Sequence, residues 1–327
     1  MGDVAMTVPV IKNVLDQNPS LQIAVVSNAF FQPLFEGLER CHFYPAHLKG
    51  QHKGVAGMVR LFKELNNLYA FDAVADLHNV LRSKILTLFY KLKGLRVATL
   101  DKGRSEKKAL TRKEDKVFKQ LTSMHERYAS VFRIIGLPVQ LKLEEPVYER
   151  KKIPLALQAV FSSGKKIIGV APFAQYTEKM YPVEKMKTVV QQLTTANNTV
   201  LLFGGGKEEA AVLQQWELEI FSVFNIAGKY SFAEELAIIS NVNSMISMDS
   251  ANMHLASLFN VPVVSIWGAT HPFAGFYGWA QDEANIVQIN LECRPCSVFG
   301  NKPCFRGDHA CMNWIGEQAI MNKIKGL

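Results

Sequence analysis

Short runs of apolar and β-branched residues alternate along the chain with longer stretches in which apolar residues recur every three or four positions. The longer stretches predict amphipathic helices, for example over residues 54–68, 183–193 and 232–240. The short runs predict buried strands at residues 21–26, 71–77, 95–100, 165–171, 198–204, 244–248 and 261–267. Near-continuous apolar strands that alternate with helices are typical of parallel sheets covered on both faces. The pattern therefore predicts an α/β protein.

Residues 145–165 interrupt this alternation, because they are charged, contain proline and lack a strand pattern until Ile167. The chain has 327 residues, which favours two domains over one. We therefore predict two doubly wound α/β domains, 1–150 and 151–327. Ligands of such domains bind outside the carboxyl ends of the parallel strands, so candidate functional residues are expected just after strands.

Polar residues follow the first two predicted strands of the second domain. Gln175 and Lys179 come after the strand that ends at Ala171, and a lysine there can meet a phosphate, although most loop lysines are simply solvated. The next strand runs into three glycines and then Glu208. Glycines let backbone N–H groups approach a ligand, whereas glutamates also favour first helical turns because of the helix dipole.

The next two strand ends add an aromatic and an acidic residue. Tyr230 could pack on a nucleotide base, and it precedes a predicted capping box of Ser231 and Glu234. Asp249 ends the following strand, where it could bind a sugar hydroxyl or cap the next helix. The remaining candidates of this loop are Ser250, Ala251 and His254. His254 alone is more often a packed helix residue, but the four loops together predict a nucleotide diphosphate site.

The net charge of +8 is concentrated between Arg82 and Lys119, where 13 Lys and Arg face 4 Asp and Glu. Most charge runs are solvated helix faces, but this one could also bind anionic lipid headgroups or a phosphorylated glycan. Zinc-finger spacing and an aromatic RNA-binding signature are lacking in the sequence, so we predict no nucleic-acid partner. The first ten residues do not resemble a secretory signal, and the expected location is the cytoplasm.

The cysteines Cys293, Cys296, Cys304 and Cys311 follow the pattern C-x2-C-x7-C-x6-C. In a cytosolic protein such a group favours metal binding over disulfides. The second half is not the C-x2-C pair typical of zinc ribbons, so reduced thiols in a packed loop rank above a structural metal site.

Residues 249–272, DSANMHLASLFNVPVVSIWGATHP, resemble the D-[ST]-G-x-x-H-L…G-x-T-x-P signature of lipopolysaccharide heptosyltransferases, family 9 of the glycosyltransferases. Further matches, in the family's order, are the loop Gly2-Asp3-Val4 with Pro9, the segment Asp76-Leu77-His78 with Arg82-Ser83, and Lys179-Met180-Tyr181-Pro182. The resemblance covers nearly the whole chain. It implies a GT-B fold, in which two Rossmann-like domains face each other across a cleft.

The resemblance implies inverting, metal-independent transfer of a sugar such as heptose from an ADP-activated donor to a lipopolysaccharide core, with no cofactor. Asp3 would be the base, and Lys179 would neutralise the diphosphate. The implied donor site consists of Gln175, Glu208, Tyr230, Asp249, Ser250, Ala251 and His254. The anionic glycolipid acceptor would contact the basic stretch, at Arg82, Arg104 and Lys107, and the protein would contact the inner membrane surface peripherally.

The sequence departs from the family pattern at two places. Ala251 stands where the family usually has glycine, and an alanine would be strained there if the position required positive φ. The family's first strand precedes its Gly-Asp pair, and we expect this strand of the N-terminal domain to be missing. Two other interpretations stay open: another two-Rossmann enzyme such as a nucleotide-sugar epimerase, and a catalytically silent nucleotide-sugar or glycolipid-binding protein.

Overall fold

The computed structural model describes residues 1–143 and 146–327, which divide into two compact units. The first unit comprises Met1, Asp3–Arg104 and Thr122–Lys142, and the second comprises Gly2, Ser105–Leu121 and Leu143–Leu327. The predicted linker begins at Glu145, which lies outside the described residues. The single predicted boundary at residue 150 did not anticipate that residues 105–121 belong with the second unit.

Polar contacts fix residues 105–121 within the second unit. The ammonium of Lys116 donates hydrogen bonds to the carbonyl oxygens of Glu292 and Arg294, at 2.9 and 2.8 Å. The backbone N–H of Leu121 donates to the carbonyl of Phe273 at 2.9 Å. These partners are distant in sequence, which is why a local pattern could not assign the segment.

The strands and helices of the described residues are bounded as follows. The strands are β1 Ile23–Ser27, β2 Cys41–Pro45, β3 Ala73–Asp76, β4 Arg96–Thr99, β5 Ile167–Ala171, β6 Thr199–Leu202, β7 Val223–Asn225, β8 Ser244–Met248, β9 Val263–Ile266 and β10 Ile286–Val287. The α-helices are α1 Gly2–Gln17, α2 Gly54–Leu68, α3 Leu81–Leu92, α4 Arg104–Leu110, α5 Met124–Ile134, α6 Gln158–Phe161, α7 Val183–Thr195, α8 Gly206–Glu219, α9 Phe232–Ile239, α10 Ala251–Ser257, α11 Ala310–Asn313 and α12 Glu317–Lys325. Among these residues, no helix combines the length and hydropathy needed to cross a membrane.

The first unit contains two parallel strand pairs, β1 with β2 and β3 with β4. In the described residues the two pairs belong to separate sheets. Their side chains are mostly half-buried. Helices α2 and α3 pack together through a core centred on Met58, Leu61 and Leu65, which partly buried residues of α3 cover.

Residues 2–9, which the family resemblance placed in a loop, instead form the first half of helix α1. Asp3 lies in the first turn, where a carboxylate is favoured by the helix dipole, and Pro9 lies inside the helix. The apolar residues Ala5, Val8 and Val10 are fully buried, which explains why this segment is ordered as a packed helix.

The second unit is built on a six-stranded parallel sheet with the order β10-β9-β8-β5-β6-β7. Strands β5, β6, β8 and β9 are completely buried, in keeping with their apolar sequences. The chain runs from β5 outward to β7 and then returns to the other side of β5 to form β8. The strand order therefore reverses between β5 and β8, and a crevice at their carboxyl ends is where doubly wound sheets bind ligands.

Candidate active site

The loops that follow β5 and β8 bring Lys179 and Asp249 together. Lys179 ends a short 3-10 turn after β5, and Asp249 directly follows β8. The Nζ atom of Lys179 lies 3.0 Å from Oδ2 of Asp249, and the two side chains are only 15% and 8% exposed. Sequence reasoning singled out both residues, and the structure places them in one ion pair at the point where the strand order reverses. The pair holds a cation at the edge of the sheet that is expected to bind ligand.

The aliphatic part of Lys179 passes directly beneath Gly300. A Cβ atom at Gly300 would lie 2.3 Å from Cγ and 2.6 Å from Cδ of the lysine, and Gly300 has a φ of +74°. Both the space and the backbone angle therefore require glycine. Sequence reasoning missed Gly300, since no local motif marks it.

The loop that carries Gly300 is fixed to the segment after β9 by the buried side chain of Arg294. Its guanidinium donates to the carbonyl oxygens of Gly268, Ile289 and Thr270 and to Oε1 of Gln288. Burial lowers the pKa of Arg294 to about 10. The backbone N–H groups of residues 296 and 297 both donate to the carbonyl of Ala269, at 3.0 and 3.2 Å. The cysteine-rich segment thus supports the position of Lys179.

The four clustered cysteines line one small pocket. They are Cys293, Cys296, Cys304 and Cys311, and all are free thiols. Burial raises the pKa of Cys311 to about 11 and also raises that of Cys296, so both are neutral thiols near pH 7. Within residues 1–143 and 146–327, no three His, Cys, Asp or Glu side chains are arranged to hold a metal ion. The ranking of reduced thiols above a metal site stays a prediction.

The residues that follow Asp249 are packed rather than strained. The hydroxyl of Ser250 lies 3.1 Å from that of Ser247 and does not cap α10. Ala251 begins α10 and does not have positive φ, so the strain expected from replacing the family's glycine does not arise. His254 is buried, and its Nδ1 has no hydrogen-bond partner among the described residues. Burial, followed by the charge of Lys179, lowers the pKa of His254 to about 3 and keeps it neutral.

The other predicted donor residues lie on neighbouring loops of the same sheet edge. Gln175 follows β5 and is exposed, and Glu208 is exposed in the first turn of α8. The adjacent Glu209 has a structural role, because its carboxylate accepts the backbone N–H of Gly205 at 2.6 Å. Glu208 is therefore the carboxylate of this turn that faces solvent.

Tyr230 is half-buried just before α9, and burial raises its pKa. The predicted capping box beside it is confirmed. The hydroxyl of Ser231 accepts the N–H of Glu234 at 3.3 Å, and the carboxylate of Glu234 accepts the N–H of Ser231 at 2.8 Å. The neighbouring Lys229 is paired with Glu217 at 2.8 Å.

In the first unit, Asp3 has an exposed side chain, and its carbonyl oxygen accepts a hydrogen bond from Tyr128 at 3.4 Å. Burial lowers the pKa of His78, and Lys102 lowers it further, while the carboxylate of Asp3 raises it. Asp3 and Lys102 are thus both within electrostatic range of His78. Arg82 is exposed at the start of α3, and its charge also acts on His78.

Asp76, which sequence reasoning noted only as part of a motif, organises the loop between β3 and α3. One carboxylate oxygen accepts the backbone N–H groups of His78 and Asn79, at 3.0 and 2.8 Å. The other accepts the hydroxyl of Ser83 at 2.9 Å, and Asp76 is buried. The spacing of the motif therefore reflects a loop that sets the positions of His78 and Arg82.

Two of the predicted acceptor contacts lie on α4 in different surroundings. Arg104 is exposed, as expected of a residue that meets an anionic acceptor. Lys107, by contrast, is 5% exposed, and its ammonium lies 4.1 Å from the ring centroid of Phe276. A contact of this kind stabilises a buried ammonium, and the acceptor contact expected of Lys107 stays a prediction.

Residues 58–303 match the family described as Glycosyltransferase family 9 (heptosyltransferase). The chain belongs to this family. Lipooligosaccharide heptosyltransferase 2 from Campylobacter jejuni is 22% identical over 200 residues, which cover 60% of this chain and 58% of that protein. The aligned region thus spans little more than half of that relative.

Solved structures show the same fold. The glycosyltransferase family 9 protein from Veillonella parvula superposes with a TM-score of 0.74 at 18% identity, over 100% of this chain and 94% of that one. E. coli ADP-heptose LPS heptosyltransferase II gives a TM-score of 0.67 at 17% identity, over 99% and 95% of the two chains. This likeness confirms the predicted α/β fold class, GT-B.

We predict that His271 makes the protein sensitive to acid. This buried residue accepts the N–H of Phe273 on Nδ1 at 3.1 Å, and burial, then Arg294 and Lys116, lower its pKa to about 4. The unfolded chain takes up a proton near pH 6.5 and the folded protein does not, so stability is lost as pH falls from 6.5 towards 4. His271→Asn, which can still accept that N–H, should reduce this loss in urea unfolding across the range. The same loss in the variant, or an equal effect of His42→Asn at an exposed histidine, would contradict the assignment.

A second prediction concerns the contact between Gly300 and Lys179. Gly300→Ala should lower the free energy of unfolding by about 1–3 kcal/mol more than Gly307→Ala, because overpacking is added to backbone strain. Gly307 is the matched control, since it also has positive φ but a Cβ atom placed there would have no neighbour within 4 Å. Urea unfolding of both variants, alone and with Lys179→Ala, measures the difference. If the excess persists without the lysine side chain, the contact is not its cause.

Proposed function

We propose that this protein is an inverting glycosyltransferase that moves a heptose from an ADP-activated donor to the core of a lipopolysaccharide. The observation that carries the proposal is the Lys179–Asp249 ion pair at the strand reversal of the second unit. Family membership supports a glycosyl transfer, and the E. coli enzyme similar to this chain is named for ADP-heptose and lipopolysaccharide.

The second unit would hold the donor. Lys179 offers a largely buried positive charge to the diphosphate, and Asp249 keeps that charge oriented before the donor arrives. The carboxylates of Asp249 and Glu208 can accept hydrogen bonds from sugar hydroxyls, and Tyr230 and Gln175 can contact the base. Each group follows a strand of one parallel sheet, so the sites for phosphate, sugar and base lie along a single edge.

The first unit would bind the acceptor and supply the base that deprotonates the acceptor hydroxyl. The exposed carboxylate of Asp3 removes the hydroxyl proton as the acceptor oxygen bonds to the anomeric carbon. The bond from that carbon to the diphosphate breaks on the opposite face, which inverts the configuration. Negative charge then grows on the leaving diphosphate and is stabilised by the ammonium of Lys179. In this scheme, Lys179 supplies the positive charge for which other enzymes use a metal ion.

Lys179→Ala is expected to weaken ADP binding by about 10–100-fold, the usual value of a charge-assisted hydrogen bond. Calorimetry with ADP, UDP and GDP measures both this loss and the preference for the base. Lys187→Ala is the control, because Lys187 on α7 is also paired with a carboxylate, that of Glu219, but lies away from the strand ends. Preference for UDP or GDP would overturn the donor assignment, and unchanged ADP binding in Lys179→Ala would overturn the site.

Asp3→Asn is expected to reduce transfer by at least about 100-fold, since general-base catalysis contributes about 10²–10⁴-fold. ADP affinity should not change. Asp16→Asn is the matched control, because Asp16 lies on the same helix but pairs with Lys12. Release of ADP from ADP-heptose in the presence of a lipopolysaccharide core acceptor reports the reaction. Donor binding without turnover in the unmodified protein would favour a catalytically silent binding protein.

A further inference from the structure

Helix α3 presents a row of leucines to solvent. Leu81, Leu88 and Leu92 are 75%, 51% and 78% exposed. Successive helical residues turn by about 100°, so the three leucines point within about 40° of one another around the helix. A single exposed leucine needs no explanation, but three aligned leucines on a twelve-residue helix form a continuous apolar stripe.

Positive charges flank this stripe on both sides. Around the helix, Lys84 and Lys91 lie on one side of the leucines, and Arg82 and Lys93 lie on the other. All four are exposed, and residues 81–96 contain five basic and no acidic residues. In the described part of the chain, none of these four basic residues forms an ion pair. The positive charge of this surface is therefore not neutralised by the protein itself.

The opposite side of α3 is firmly packed. Ile85, Leu86 and Phe89 pack against the core of α2, and Tyr90 is 2% exposed. The ring of Phe62 on α2 contacts those of Phe89 and Tyr90, with centroids 5.5 and 4.9 Å away. Helix α3 therefore packs against α2 through one side, and the leucine stripe lies on the other side and takes no part in that core.

The two features of this surface require one partner that satisfies both. A nucleic acid or a phosphorylated glycan would neutralise the cations but leave the leucines in water. An apolar protein surface would cover the leucines but leave the cations without counter-charge. A bilayer with anionic headgroups offers apolar chains to the stripe and phosphates to its flanks, which is how amphipathic helices bind membrane surfaces.

We infer that α3 docks the protein on an anionic lipid bilayer. Leu81, Leu88 and Leu92 enter the boundary between headgroups and acyl chains, and the four basic residues contact lipid phosphates. This inference goes beyond the proposed transfer and does not depend on it, because lipid binding is measured without any sugar donor.

The test is co-sedimentation of the full chain with vesicles. The protein should bind vesicles of equal parts phosphatidylglycerol and phosphatidylcholine far better than vesicles of phosphatidylcholine alone, and binding should weaken as salt rises. The double variants Leu88→Ser/Leu92→Ser and Lys84→Glu/Lys91→Glu should each lower partitioning at least about tenfold. Leu218→Ser should have no effect, since Leu218 is 79% exposed on α8 between two glutamates. Unchanged ADP binding and circular dichroism would show that the variants fold.

Three results would overturn the inference. Equal binding to both vesicle types would show that lipid charge does not contribute to binding. If the lysine variant bound vesicles more weakly but the leucine variant did not, the surface would bind polyanions without inserting leucines. No vesicle binding, combined with self-association that Leu88→Ser/Leu92→Ser abolishes, would make the stripe a contact between copies of the chain. Loss of transfer in Asp3→Asn has no bearing on these outcomes, so the two proposals fail separately.

Discussion

The ion pair between Lys179 and Asp249 forms because the strand order of the parallel sheet reverses between β5 and β8. Strands β5 and β8 are neighbours in space but are separated in the chain by two strands and three α-helices. Their loops therefore meet at one edge, and each contributes one charge of the pair. Opposite charges at 3.0 Å with little solvent are stable only where the surrounding polar groups are fixed. Arg294 and Gly300 of the C-terminal segment contribute to such surroundings.

The side chain of Arg294 holds the loop next to the ion pair in place. Within residues 1–143 and 146–327 this buried guanidinium has no carboxylate partner, and backbone carbonyls and one side-chain amide take up its hydrogen bonds. The carbonyls come from the turns after β9 and β10, so one side chain joins segments that share no strand ladder at that point. The cysteine-rich loop therefore lies over Lys179, where the missing Cβ atom of Gly300 leaves room for the lysine side chain. A segment whose spacing suggests a metal site is thus also a structural support for the charged centre.

The sequence predicted much of the fold because its strongest signals are local. Seven strands, the full extent of α2 and the Ser231–Glu234 capping box all follow from periodicity and capping chemistry. The shortest strands, β7 and β10, were missed, since two or three residues carry too little pattern, and so was β2, which contains histidine and proline. Residues 105–121 group with the second unit through partners far along the chain, such as Phe276 for Lys107, which no local pattern reports. Lys179 and Asp249 could be chosen from the sequence because they follow strands, whereas Gly300 and Arg294 matter only through tertiary contacts.

The burial of the strands differs between the two units, and this has a consequence for local opening. Side chains of β1 are all half-buried, whereas those of β5, β8 and β9 are all buried within a continuous six-stranded sheet. Amide protons in the paired strands of the first unit are protected by one neighbouring strand each, and those of β5 by two. Hydrogen exchange would therefore separate the half-buried strands of the first unit, which open early, from β5, β8 and β9, which open late. The charge that would meet the diphosphate follows β5 and is therefore carried by a strand that opens late.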